Sequence, residues 1–282
     1  MLAVSRGGGS FSGHANVLYL TNHYPTYPVI GLDSDGYRGH AAVVIQVRDA
    51  PVLLVDTPYY REDLVAVKDV RVTHNLARSV ADVLHEKKLE KGKIGLVEEG
   101  TIRYGLYEEL ANRLPKIQFS KADDILERMR MKKSENELRI IRKLGKVADR
   151  VADTFIQGTA PGTTEAEVAA SVAKEIVSSG CAVYAIYIGS DWHALKWPFY
   201  GPDRKLRNKD MVHTDFWAAY EGYIFDFSRT VVIGTPTREQ RELLEAASEM
   251  VKICLQKVKP RLTVSELARM IDDEAREGIY QT

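Results

Sequence analysis

The chain has 282 residues, 45% of them hydrophobic, and its 39 Lys and Arg residues balance its 39 Asp and Glu residues. This length predicts two domains with sizeable cores, and the balanced charge gives no reason to expect binding to nucleic acid or to an anionic membrane. The only two cysteines, Cys181 and Cys254, are far apart and outside any CxxC pattern, which excludes a zinc–thiolate site and a disulfide framework. No apolar run is long enough for a signal peptide or a membrane span, so a soluble, cytoplasmic protein is expected.

The first part of the chain alternates short apolar runs with helical patterns. Strands are predicted at residues 16–21, 41–47, 52–55, 70–72 and 94–97, and helices at residues 76–86 and 104–114. This alternation predicts an α/β domain with a mixed sheet over residues 1–125. The glycine-rich run at residues 7–10 lacks the spacing of a phosphate-binding loop, so a flexible loop is expected there.

From Ser134 onward the sequence repeats an order of helices. Each repeat contains two capping boxes, in which a Ser or Thr and a Glu or Gln three residues later satisfy backbone N–H groups at a helix start. The four boxes begin at Ser134, Thr164, Thr237 and Thr263. The second boxes of the two repeats lie 99 residues apart (263 − 164). This offset predicts an α+β domain built from two repeats, of which residues 126–282 would contain about the first half. The alternative is that helices simply start in this way.

Asp215 and Asp226 lie on the two arms of a predicted β-hairpin whose turn contains Glu221-Gly222. A four-residue loop would put the two carboxylates directly opposite each other, and a two-residue loop would put them on a diagonal of the same face. Like charges on neighbouring strands, about 5 Å apart at Cβ, destabilise a sheet. Either one carboxyl group is protonated or a metal ion lies between the two, and the second alternative predicts a metalloenzyme site.

The segment from Asp215 to Asp226 and the following Phe-Ser-Arg-Thr resemble the first metal-binding element of the pita-bread metallopeptidases, family M24. Residues 16–21, 38–44 and 128–138 are similar to the Xaa-Pro dipeptidase, aminopeptidase P and creatinase branch of that family. The resemblance implies a creatinase/prolidase-like N-terminal domain at residues 1–125 and a partial pita-bread catalytic domain at residues 126–282. It also implies that Asp215 chelates one metal ion and that Asp226 bridges two.

The activity implied by this resemblance is metal-dependent hydrolysis of the peptide bond next to proline in short peptides. Oxygen ligands favour Mn²⁺, with Zn²⁺ and Co²⁺ as alternatives. The family completes its site with one His and two Glu, whose positions would lie past Thr282, so the chain is expected to be an inactive fragment. Relatives in the family are usually dimers, and a homodimer is the corresponding expectation.

Two histidines, an arginine and an aromatic run near the hairpin are further candidates. His193 either contacts the substrate, as a histidine near this position does in the family, or is an exposed loop histidine. His213 has the strand parity of Asp215, but a satisfied core histidine is expected. Arg229 is expected on the opposite face in a structural ion pair. The aromatic run at residues 197–200 either lines a substrate pocket or packs under a loop.

Two other classes of function stay open. A creatinase-like hydrolase or a lyase of a small metabolite is compatible with the same fold, because fold does not determine chemistry. A non-catalytic binding or scaffold protein is the second alternative. Retention of both aspartates argues against a scaffold, since unliganded like charges on one face only lower stability.

Overall fold

The computed structural model describes residues 1–5, 15–23, 40–58, 60–97, 102–195, 201 and 203–278. The chain divides into two compact units, Met1–Asn136 and Glu137–Thr282. The glycine-rich run at residues 7–10 and the aromatic run at residues 197–200 lie outside the described residues. Within the described ranges, no helix has the length and apolar character needed to cross a membrane.

The first unit is built on a six-stranded mixed sheet. Its strands are β1 (Leu2–Ser5), β2 (Ala41–Val44), β3 (Val52–Val55), β4 (Asp69–Val72), β5 (Gly92–Val97) and β6 (Ile117–Lys121). Their order is β4-β3-β2-β1-β5-β6, in which β2 is antiparallel to both neighbours and the other pairs are parallel. The α/β class and the mixed sheet predicted from the sequence are confirmed.

Helices cover both faces of this sheet. They are α1 (Ala15–Thr21), α2 (Leu76–Glu86), α3 (Tyr104–Arg113) and α4 (Asp123–Met131). Ala42 and Leu54 belong to the core that contains residues of α2 and α3, whereas Val43 and Leu53 belong to the core with residues of α1 and α4. Because successive strand residues face opposite sides and both sides are covered, β2 and β3 are apolar throughout.

The prediction of a strand at residues 16–21 is wrong, because this segment forms helix α1. A short apolar run fits a buried strand and a buried helix equally well by periodicity. In the helix, Val17 and Thr21 lie one turn apart and are both buried, and Oγ1 of Thr21 donates to the carbonyl of Val17 at 2.6 Å. Strand β6 was not predicted, since only Ile117 and Phe119 among its five residues are apolar.

The second unit contains a three-stranded antiparallel sheet and four helices. The strands, in the order β7-β8-β9, are β7 (Ala182–Ser190), β8 (Met211–Tyr220) and β9 (Tyr223–Val232). The helices are α5 (Glu135–Gly158), α6 (Glu165–Ser178), α7 (Arg238–Lys257) and α8 (Val264–Gly278), and a short 3-10 helix spans Asp191–Leu195. Phe155 of α5, Val168 of α6 and Phe216 of β8 are fully buried in one core, which therefore lies on one face of the sheet.

The repeated helix order predicted from the sequence is present. Helices α6 and α8 begin at Glu165 and Val264, which are 99 residues apart (264 − 165). Reciprocal capping hydrogen bonds join Thr164 to Glu167, Thr237 to Gln240 and Thr263 to Glu266. The two repeats differ in burial, because α6 buries five residues that include Val168, whereas none of the residues of α7 is buried.

Candidate active site

Strands β8 and β9 are joined by the two-residue turn Glu221-Gly222, in which both residues have positive φ, 48° and 79°. This conformation is that of a type I′ turn, which matches the twist of a hairpin. The register places Asp215 opposite Ser228 and Asp226 opposite Trp217. The two aspartates are therefore diagonal neighbours on one face, as predicted for the shorter of the two possible loops.

The face of β8 that carries Asp215 is the more exposed one. Residues alternate along this strand, so that Val212, Thr214 and Phe216 are buried while Asp215 between them is half-buried. Asp226 on β9 is exposed. A strand with one face on the core and one toward solvent explains this alternation, and it places both carboxylates on the same side of the sheet.

The environment of Asp215 opposes its negative charge. Burial raises the pKa of Asp215 above its usual range, and Asp226 adds to this rise through like-charge repulsion and a hydrogen bond between the two carboxyl groups. His213 and Trp217 act in the opposite direction. Oδ1 of Asp215 is buried and has no hydrogen-bond partner among the residues that the structure describes. A divalent cation would satisfy this oxygen and remove the repulsion, so the pair fits a metal ion.

Asp215 and Asp226 are the two carboxylates of the β8–β9 hairpin that share one face. Across the described ranges, no group of three or more His, Cys, Asp and Glu side chains is arranged to hold one. Hard divalent cations bound through oxygen prefer six ligands, so two carboxylates alone would hold such an ion weakly.

His213 lies on the aspartate face and not in the core, where a histidine was expected. Its ring is half-buried, and Nδ1 lies 3.0 Å from Oγ1 of Thr230, the residue opposite it on β9. The hydrogen bond satisfies the ring, as expected, but the ring borders the carboxylate of Asp215 and favours its charged form.

Arg229 lies on the opposite face of β9 from Asp226, as its parity predicts. The ion pair predicted for it is not observed among the described residues, where Arg229 has no acidic partner. Its guanidinium instead lies 3.8 Å from the ring centroid of Phe227 and donates to the carbonyl of Ser228 at 2.8 Å. This stacking covers an aromatic ring and does not concern the aspartate site.

His193 lies in the 3-10 helix after β7 and contacts Glu165, the first residue of α6. Nδ1 of His193 is 3.2 Å from Oε2 of Glu165; the Glu165 side chain is 0% exposed and that of His193 is 28% exposed. No contact between His193 and either aspartate is found among the described residues. The structure therefore brings together two groups of candidate residues, Asp215 with Asp226 and His193 with Glu165.

The carboxylate of Glu165 is surrounded by hydrogen-bond donors. Oε1 accepts from the backbone N of Ser190 at 2.9 Å and from its Oγ at 2.6 Å, and Oε2 accepts from the backbone N of Gly201. Nε of Arg204 lies 3.6 Å from Oε1 and donates to Oγ of Ser190. These contacts offset the cost of burying the carboxylate.

Arg204 extends this network to two aspartates, Asp191 at the start of the 3-10 helix after β7 and Asp210 directly before β8. Its guanidinium lies 3.2 Å from Asp210 and 3.3 Å from Asp191. Burial raises the pKa of Asp210, a hydrogen bond from the backbone of Arg207 opposes this rise, and Asp191 reinforces it. Asp191 adopts a left-handed conformation with φ 49°, and its Oδ1 accepts from the backbone N of Met211 at 3.1 Å.

Glu165 was not predicted as a site residue from the sequence. The only signal was the presence of two glutamates, Glu165 and Glu167, in the first turn of one helix, of which the capping box uses Glu167 alone. The partners of Glu165 come from segments 25 to 39 residues away (204 − 165 = 39), so local patterns do not reveal them.

Comparison with protein families gives two matches that together cover most of the chain. The metallopeptidase family M24 matches residues 139–282, and the creatinase/prolidase N-terminal domain matches residues 10–132. The chain is 33% identical to an Xaa-Pro dipeptidase of Pyrococcus horikoshii over 187 residues, which cover 64% of this chain and 53% of the relative. It is 35% identical to a probable dipeptidase PepE of Mycobacterium bovis over 163 residues, which cover 57% of this chain and 42% of the relative. The chain thus spans about half the length of these curated relatives.

Solved structures share the fold over nearly the whole chain. The prolidase from Pyrococcus horikoshii OT3 has a TM-score of 0.79 at 23% identity, covering 99% of this chain and 74% of the prolidase. The X-Pro aminopeptidase from Thermotoga maritima MSB8 has a TM-score of 0.78 at 21% identity, and the match covers 99% of this chain and 76% of the aminopeptidase. These likenesses establish the creatinase-type N-terminal fold and the pita-bread fold. The M24 match covers 144 of 282 residues (282 − 139 + 1), and the chain belongs to metallopeptidase family M24.

Proposed function

We propose that this chain is part of a metal-dependent peptidase that hydrolyses the peptide bond next to proline in short peptides. The observation that carries the proposal is the pair Asp215 and Asp226 on one face of β8 and β9, with Oδ1 of Asp215 buried and without a donor in the described part of the chain. Xaa-Pro dipeptidases among the relatives support the substrate class.

Asp215 and Asp226 would hold the divalent metal ions that membership of the family implies, and we propose two ions, with Mn²⁺ favoured by oxygen ligands over Zn²⁺ and Co²⁺. When bound, such ions supply a Lewis acid and lower the pKa of bound water. The protein contributes a rigid support, because both aspartates project from strands paired over ten residues each. Thr230 holds the ring of His213 beside them.

We further propose that His193 contacts the substrate. Its side chain is 28% exposed while Nδ1 is engaged by Glu165, which leaves the other edge of the ring for a ligand. The division into an N-terminal domain at residues 1–125 and a catalytic region at residues 126–282, the homodimer and the cytoplasmic location are part of the same proposal. Two isolated free cysteines suit a reducing compartment.

The test measures metal content and peptide hydrolysis by the full-length gene product. Wild-type protein is expected to bind Mn²⁺ and to cleave an Xaa-Pro dipeptide or an Xaa-Pro-Xaa tripeptide. Asp215→Asn and Asp226→Asn are expected to lose both properties, whereas Asp203→Asn, an exposed aspartate outside the hairpin, keeps them. The 282 residues on their own are expected to bind metal weakly and to be inactive, because their described part offers two carboxylates to the ion.

Either of two results would contradict the proposal and favour another function. Bound metal without cleavage of either peptide would favour a creatinase-like hydrolase or a lyase of a small metabolite. A folded protein that binds no divalent metal would favour a non-catalytic binding or scaffold role.

A further inference from the structure

We propose that Glu165 is a positioning residue that holds the His193 ring in its Nδ1–H tautomer, so that Nε2 presents a lone pair as a hydrogen-bond acceptor. The two side chains meet where the start of α6 lies against the 3-10 helix after β7, with Nδ1 3.2 Å from Oε2. Which ring nitrogen of a histidine carries the proton is determined by the partner of the other nitrogen.

The hydrogen of the Ser190 hydroxyl is directed to Glu165. Arg204 has only donors, so Oγ of Ser190 must accept the hydrogen bond from Nε of Arg204. The single hydrogen of this hydroxyl is then free to be donated to Oε1 of Glu165, which lies 2.6 Å away. The backbone N–H of Ser190 is a second donor to the same oxygen, at 2.9 Å.

The second oxygen of Glu165 also accepts from a backbone donor. The N–H of Gly201 donates to Oε2. Three donors and the nearby guanidinium of Arg204 therefore match the carboxylate form of Glu165, which can only accept. His193 must supply the proton in its own hydrogen bond, and Nδ1 carries that proton in the neutral ring. Nε2 is then an acceptor.

Two glycines make room for this arrangement. A Cβ atom on Gly201 would lie 2.8 Å from Oε2 of Glu165 and 2.9 Å from Cε1 of His193. A Cβ atom on Gly189 would lie 2.6 Å from Cα of Ala194, in the 3-10 helix that carries His193. The backbone at Gly201 can lie against Glu165 and His193, and the backbone at Gly189 against the 3-10 helix, only because these positions lack a side chain. The geometry of the Glu165–His193 pair therefore depends on both glycines.

The tautomer has a consequence for ligand binding that rests on the proposed function. A lone pair on Nε2 binds an N–H donor and disfavours a carbonyl oxygen. Proline has no amide hydrogen, so the backbone donor that an Xaa-Pro dipeptide offers is its N-terminal ammonium group. His193 would therefore select substrates with a free α-amino group.

The test is ¹⁵N NMR of the imidazole rings in histidine-labelled protein, without metal or substrate, at a pH at which the rings are neutral. The chain has seven histidines, and His193→Asn identifies the signals of His193. Wild-type protein is expected to show the Nδ1–H tautomer at His193. Because the Oε1 position faces more donors, Glu165→Gln is expected to place its amide oxygen there and its NH₂ group against Nδ1. This arrangement inverts the tautomer to Nε2–H.

The matched control is Glu167→Gln, which changes a glutamate of the same helical turn that caps α6 and is exposed. It is expected to leave the tautomer of His193 unchanged. A wild-type Nε2–H signal would overturn the proposal even if Glu165→Gln does not fold, and an unchanged tautomer in folded Glu165→Gln would do the same.

A second measurement, of KM for two dipeptides, tests which chemical group of the substrate binds Nε2 of His193. In the full-length peptidase, Glu165→Gln is expected to raise KM about tenfold for a dipeptide with a free amino group, the loss of about one hydrogen bond to a charged donor. The increase in KM should be smaller for the N-acetylated dipeptide, whose amide N–H is a neutral and therefore weaker donor than an ammonium group. Equal effects on both substrates would exclude the ammonium group as the ligand of Nε2, while the NMR result stands independently of any peptidase activity.

Discussion

Asp215 and Asp226 share one face of the β8–β9 hairpin but are not directly opposite each other, since Asp215 lies opposite Ser228 and Asp226 opposite Trp217. Diagonal neighbours of this kind are separated by about 7 Å, farther than a directly opposed pair. The hairpin therefore tolerates two negative charges while it still allows their carboxyl groups to converge. The length of the turn therefore determines, together with the strands, how the two carboxylates are placed relative to each other.

The charge of Asp215 is expected to lower the stability of the metal-free protein. Asp215→Asn keeps the shape and removes a half-buried charge beside a second carboxylate, so the free energy of unfolding at neutral pH should rise by about 0.5 kcal/mol after solvent screening. Urea unfolding checks this change. Mn²⁺ should stabilise wild-type protein and not the variant. Asp203→Asn serves as the control and should change little, and a less stable Asp215→Asn protein would contradict the prediction.

The buried carboxylate of Glu165 is expected to matter far more for stability than the exposed one of Glu167. Glu165→Gln places an NH₂ group among donors in a site that is 0% exposed, and it should lower the free energy of unfolding by about 2–3 kcal/mol. Glu167→Gln keeps an acceptor for the backbone N–H of Thr164 and should cost about 0.5 kcal/mol. Chemical denaturation measures the free energy of unfolding of both variants. Equal losses of this free energy would show that the hydrogen-bond network around Glu165 is not formed.

The turn Glu221-Gly222 is expected to respond to two substitutions with opposite sign. Gly222 has φ 79°, so Gly222→Ala introduces a Cβ in the left-handed region and should destabilise the protein by about 1 kcal/mol. Glu221→Asn gives the Asn-Gly pair that type I′ turns prefer and should stabilise it by about 0.5 kcal/mol. Thermal unfolding of the two variants tests the turn type. Destabilisation by Glu221→Asn would indicate a different turn.

His23 is expected to reduce stability in mild acid. Its side chain is buried, Nδ1 has no hydrogen-bond partner in the described part of the chain, and burial lowers the pKa of its imidazole below the usual value. The unfolded chain takes up a proton as the pH falls through about 6.5 while the folded ring stays neutral, so stability is lost below that pH. The loss approaches about 1.4 kcal/mol per pH unit until the lowered folded pKa is reached.

The substitution His23→Phe keeps an aromatic ring near Tyr60, whose ring centroid is 6.3 Å away, and removes the titrating group. Its free energy of unfolding, measured in urea at pH 7.5 and at pH 5.5, should change less than that of the wild type. His74→Gln, at an exposed histidine, should retain the wild-type pH dependence. A wild type whose stability does not fall between pH 7.5 and pH 5.5 would show that folding does not lower the pKa of His23.

The aspartate hairpin, the helix starts and the fold class were predictable because they depend on local signals. These signals are the alternation along residues 211–232, the Glu-Gly turn and the Thr capping residues. Each acts over a few neighbouring positions, so it predicts the local structure without knowledge of the tertiary contacts. The diagonal placement of Asp215 and Asp226 was one of two alternatives at that level, and the length of the turn decided between them.

Other features depend on which distant groups cover a residue, and the sequence by itself does not determine them. Residues 16–21 form a helix because Val17 and Thr21 are buried together, whereas their apolar pattern suited a strand as well. Glu165 and His193 are 28 residues apart and meet only when α6 lies against the end of β7. A buried carboxylate is compatible with the fold once its donors surround it, and only the tertiary structure brings those donors together.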